Sequence, residues 1–205
     1  MLNFLEKGGS FMNRRENGMT LLEILIVISV ITIMSLVAYP SFMDALQDYK
    51  VRNCASELRM NILNLRSHAI RDSSRSYVIV FYPSAYVYGF DSDGDFIPDG
   101  FENAPPGSVS PSADYGGNIS FGTDAANGPA SSIACSGSTP ANGFKGFGGT
   151  NPPRITFDSD GTLSATGCVF FKNDRGDNYL VSIETLTGKV DLWKWEGNND
   201  WSKVY

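Results

Sequence analysis

The densest group of chemically capable residues is Asp91-Ser92-Asp93-Gly94-Asp95-Phe96-Ile97-Pro98-Asp99-Gly100-Phe101-Glu102. Its acids stand at positions 1, 3, 5, 9 and 12 of a twelve-residue loop, the spacing with which an EF-hand presents oxygen ligands. A hard cation such as Ca2+ takes six to eight oxygens. The carboxylates of Asp91, Asp93, Asp95, Asp99 and Glu102, with the Ile97 carbonyl, could supply them. Phe96 stands where such a loop wants glycine, and the flanks read as strands rather than helices, so no EF-hand domain is implied. A solvated acidic hairpin tip closed by Asx turns explains the same residues without a metal. Both readings stay open.

A second group is a single residue in an unusual place. Glu23 precedes Ile24–Met43, a run without one charge, which Asp44 ends. A helix of that length spans roughly 30 Å, the hydrocarbon thickness of a bilayer. A carboxylate one turn into such a helix is costly unless paired, which marks it for function. Its alternative is a static position at the headgroup level.

Three cysteines, Cys54, Cys135 and Cys168, are too few for a disulfide-built scaffold, and no C-x-x-C pair exists. Pairing Cys135 with Cys168 would tether the glycine-rich stretch between them to a strand, leaving Cys54 as the odd thiol. With His68 the one histidine, Ser-His-Asp, Cys-His and multi-histidine metal chemistry is disfavoured. The expectation is a protein that is not an enzyme.

The 205 residues carry a net charge of −6, which argues against binding nucleic acid. The charge divides into a basic neck over residues 50–75 and an acidic remainder. Within the neck, Val51, Ala55, Leu58, Ile62, Leu65 and Ala69 step by four and three, a helical face. Arg52, Arg59 and Arg66 form an adjacent stripe. That stripe is a solvated face, or a contact for phosphate, anionic lipid or the acidic head of a neighbouring subunit. Pro40 interrupts the helix pattern and is expected to kink or locally melt it.

After Asp72 the period changes to two. Strands are expected at Ser76–Tyr82, Ala85–Phe90, Arg154–Phe157, Cys168–Lys172, Tyr179–Glu184 and Lys189–Trp195. Between residues 103 and 153 glycine and proline are dense and charges few, which reads as a loop-rich insertion with a short strand at Asn118–Phe121. The aromatic tail from Trp193 to Trp201 fits a partner surface or an edge strand. The fold expected is α+β, a long N-terminal helix packed on an antiparallel β-sheet head. Its parts are a leader at 1–18, an apolar helix at 19–43, a neck helix at 44–75 and a β-rich head at 76–205.

The leader does not follow an ordinary secretory pattern, because the apolar run is too long and no A-x-A site follows it. Instead Gly18 precedes the run, and Arg14 and Arg15 favour a cytoplasmic N-terminus. Met1 and Met12 are both candidate starts. The string Gly18-Met19-Thr20-Leu21-Leu22-Glu23-Ile24-Leu25-Ile26-Val27 closely resembles the prepilin signal of type IV pilins and type II secretion pseudopilins. The resemblance implies cleavage between Gly18 and Met19 by a prepilin peptidase and N-methylation of Met19. It also implies that Glu23 meets the N-terminal amine of a neighbouring subunit. Inner-membrane anchoring, a periplasmic head and assembly with other pilin or pseudopilin subunits follow. Met19 replaces the phenylalanine most common in the family.

The order of elements further resembles the GspH pseudopilins and FimT minor pilins. The matching segments are Leu65-Arg66-Ser67-His68-Ala69-Ile70-Arg71, Ile155-Thr156-Phe157-Asp158-Ser159-Asp160-Gly161 and Thr187-Gly188-Lys189-Val190. The acidic loop looks like the D-x-D-x-D-x-x-x-D-x-x-E calcium loops of extracellular repeats. A membrane-anchored, calcium-dependent binding module is therefore the alternative to a filament subunit.

Overall fold

The computed structural model describes residues 19–72, 74–100, 106–198 and 200–204. The leader through Gly18, and Glu102 with its neighbours, lie outside these. The chain forms two compact units, one ending at Met43 and one beginning at Asp44. A single helix, α1 (Leu21–Arg71), runs through both.

In the first unit α1 is apolar and its large side chains are exposed from Leu21 to Phe42. Its hydroxyls are satisfied within the helix: Ser29, Thr32 and Ser35 donate to the carbonyls of Leu25, Ile28 and Ile31. A helix so arranged presents few unpaired polar groups to an apolar medium. Pro40 lies inside α1 and does not end it. The helix continues on both sides of Pro40, so the expected local melting does not occur.

In the second unit α1 buries Val51, Cys54, Ala55, Leu58, Ile62, Leu65 and Ala69, the periodic face with Cys54 added. Two antiparallel sheets receive it. The first contains β1 (Ser76–Phe81), β2 (Tyr86–Asp91), β3 (Gly107–Val109) and β8 (Arg154–Phe157), in the order β3-β2-β1-β8. The second contains β4 (Ser120–Phe121), β9 (Gly167–Lys172), β10 (Asn178–Ile183), β11 (Val190–Gly197) and β12 (Asp200–Val204), in the order β12-β11-β10-β9-β4. β7 (Phe144–Gly146) also pairs with β9. Helix and both sheets share one core, in which Phe81, Tyr86, Phe147, Phe157, Phe171 and Tyr179 are almost fully buried. The start of this part of α1 is tied to the second sheet. Asp48 accepts from the Tyr179 hydroxyl at 3.0 Å and pairs with Lys194 at 3.0 Å, and Asp44 pairs with Arg175.

The arginine stripe is not uniformly solvated. Arg66 Nε donates to the Gly161 carbonyl at 2.9 Å, and its stem lies against Gly188. Both glycines have φ near +80°, and a Cβ at either would come within 3 Å of Ile70 or Arg66. Only glycine lets these two turns close on the helix. The His68 ring is exposed and lies 5.8 Å from that of Tyr77.

The insertion is more ordered than its composition suggests. It contributes β3, β4 and β7, the short helix α2 (Pro111–Tyr115), and a two-stranded ribbon of β5 (Asn127–Gly128) and β6 (Gly137–Ser138). Around that ribbon lies a second buried cluster on the second sheet: Ala125, Cys135, Cys168, Phe170, Leu180, Trp193 and Trp201. β12 was not expected as a separate strand; it is the edge of the second sheet, with Trp201 buried.

Candidate functional site

The N-terminal segment is built to start a helix just past the glycine. Thr20 caps α1: its hydroxyl accepts from the Glu23 N–H at 3.2 Å, and its carbonyl accepts from Glu23 and Ile24. Thr20-x-x-Glu23 has the spacing of a capping box, with the acid in the first turn where the helix dipole favours it. Met19 therefore lies outside the helix and is exposed. Threonine three residues before the glutamate is the sequence signal for this cap. Among the described residues of the first unit, Glu23 is accompanied by no lysine or arginine.

Residues 13–39 match the family profile described as the prokaryotic N-terminal methylation motif. The chain carries a type IV pilin leader. No curated protein and no solved structure matches it.

In the head, the acidic loop closes on itself through backbone donors. Asp91, buried at the end of β2, accepts from the Gly94 N–H at 2.8 Å and the Phe96 N–H at 3.0 Å. Asp93 accepts from the Asp95 N–H and Asp95 from the Ile97 N–H. Asp99 accepts from both the hydroxyl and the N–H of Ser92, which hold its carboxyl below the usual value. Carboxylate oxygens of Asp91, Asp93 and Asp99 lie within 4.8 Å of one another. Asp95 is not part of that group, and Glu102 lies outside the described residues. Phe96 has φ +66°, so it adopts the left-handed conformation for which an EF-hand uses glycine at that position. Its ring lies under the Arg154 guanidinium at 4.2 Å.

That backbone strain yields a prediction. A side chain in the left-handed region costs roughly 1–2 kcal/mol, and the cation–π contact returns about 0.5–1 kcal/mol. Phe96→Gly is thus expected to leave thermal stability within about 1 kcal/mol of wild type. Phe96→Val, β-branched and without the ring, is expected to destabilise it. Thermal melts of the two variants check this.

The structure joins Cys135 to Cys168, with a sequence separation of 33. Cys54 is buried and free in α1; burial, with Glu57 and Asp114 nearby, pushes its thiol up and makes it unreactive. Beside the disulfide, Glu184 is almost fully buried and accepts from the N–H groups of Ile133 and Ala134. Burial alone would raise its carboxyl. Hydrogen bonds from Ser132, Ser182, Ile133 and Ala134 outweigh burial and hold it below its ordinary 4.5. Glu184→Ala would leave those N–H groups without their acceptor and is expected to cost about 1–3 kcal/mol, read by denaturant unfolding. Because the folded carboxyl is the stronger acid, its contribution is full above the ordinary value. It is lost as pH falls through the lowered one.

Proposed function

We propose that the mature chain is a minor pilin or pseudopilin, a non-enzymatic subunit of a type IV pilus or type II secretion pseudopilus. It is anchored in the inner membrane by residues 19–43 until it joins the filament, with the head on the periplasmic side. One observation carries this reading: a pilin-type leader is followed by a capped helix with Glu23 in its first turn and no further charge from Ile24 to Met43. In a bundle of such helices the carboxylate has a natural partner in the N-terminal amine that cleavage creates on a neighbour. The glycine-rich insertion and the order of elements in the head favour the GspH/FimT type. The acidic head disfavours nucleic acid as a partner.

Co-expression with a prepilin peptidase and a major pilin, followed by shearing and quantitative mass spectrometry, tests this. The chain is expected in the filament fraction at a small fraction of the major subunit. Recovery only with the membrane would contradict it.

A second reading, a calcium-dependent binding module, is favoured by the convergence of Asp91, Asp93 and Asp99. A site that binds only the folded state stabilises it by about 2.7 kcal/mol when the ion is at a hundred times its dissociation constant. Millimolar Ca2+ should then raise the melting temperature of the wild type and not of Asp91→Asn/Asp93→Asn. An unchanged wild-type melt in calcium would retire the metal and leave the Asx-turn loop.

A further inference from the structure

The segment from Thr123 to Ser138 covers a patch of the second sheet with a core of its own. Beneath it lie Phe170, Leu180, Trp193 and Trp201. It is held there by polar ties at several points. Trp201 Nε1 donates to the Asn127 carbonyl at 2.9 Å, and Lys145 Nζ donates to the carbonyls of Ser136 and Ser138 at 2.6 and 2.9 Å. Glu184 accepts from the turn at Ile133 and Ala134. None of these groups belongs to the shared core of helix and sheets. Cys135 and Cys168 are each fully buried under this cover.

Thiol–disulfide exchange requires a thiolate to reach a sulfur, so access controls its rate. A disulfide that is sealed by the segment it tethers can be reached only after that segment lifts. We propose that the Cys135–Cys168 bridge is a one-way latch: it forms while the 123–138 cover is open, and the closed cover then shields both sulfurs from thiols in solution. While the cover is open, one cysteine thiolate attacks a disulfide-bearing oxidant to give a mixed disulfide. The second cysteine thiolate displaces it, and the oxidant leaves as a dithiol with the two electrons. The reverse step needs an external dithiol and an open cover. Because the cover has its own small core, it opens as a local unit while the main core stays folded.

The test uses the full-length chain in detergent. In the first arm, dithiothreitol is added in native buffer and in denaturant, and alkylation of Cys135 is followed by peptide mass spectrometry. Reduction in native buffer is expected to be at least about 100-fold slower than in denaturant. Equal rates would show that the sulfurs are not shielded and would overturn the proposal. In the second arm, hydrogen exchange is measured on the Cys135→Ser/Cys168→Ser variant. Amides of 123–138 are expected to exchange at least about tenfold faster, with β1 and β2 unchanged. A cover that stays protected without the bridge, or a head that loosens throughout, would equally overturn it.

Discussion

Glu23→Ala is expected to leave processing and membrane insertion intact and to remove the chain from filaments. Alanine lowers the cost of placing the helix in lipid, so insertion does not suffer. Assembly does, because the N-terminal amine of a neighbour would enter an apolar bundle without its counter-charge. Breaking a buried pair by removing one partner costs about 3–5 kcal/mol, on the order of 100- to 4,000-fold in incorporation. Glu23→Asp keeps the charge on a shorter stem and should fall between the two. The readout is the filament-to-membrane ratio of each variant in sheared fractions. Incorporation of Glu23→Ala at the wild-type level would remove the pairing role from Glu23.

The other large effect lies in the neck. Leu58 sits fully buried in the middle of the α1 face that meets the sheets. Leu58→Ala removes apolar contacts and leaves a cavity, for an expected loss of about 2–5 kcal/mol. Met60, two residues on and 56% exposed, serves as the control. Met60→Ala should stay within about 0.5 kcal/mol. Denaturant unfolding followed by tryptophan fluorescence separates them, since Trp193 and Trp201 are buried in the head. Equal effects at the two positions would mean that this face of α1 is not the one packed in solution.

The contrast between those two residues shows why the helix was legible. Its apolar residues repeat with the helical period over several turns, and few other structures bury such a pattern. The longer strands were legible for the same reason, with an alternating or continuous apolar run between turn residues. The second core was not. Its members come from four strands of the second sheet and from the loop positions Ala125 and Cys135, and no local period links them. Arg66 was misjudged in kind: a seven-residue spacing defines a stripe but does not reveal that the turns at Gly161 and Gly188 close over it. At the N-terminus the leader glycine, Glu23 and the apolar run were plain, whereas the cap at Thr20 needed attention to a residue three positions before the acid. In the acidic loop the spacing was visible, but the left-handed backbone at Phe96 is a tertiary outcome that side-chain type argues against.

Filament membership depends first on the leader being cut, so the decisive measurement is the N-terminus of the mature chain. The precursor would be co-expressed with an active prepilin peptidase, beside a Gly18→Ala variant, and both examined by intact mass and N-terminal sequencing. The predicted result is a wild-type chain that begins at N-methylated Met19 and a variant that remains uncut. A wild-type chain that keeps its leader, while the same peptidase processes a control pilin, would contradict the filament reading.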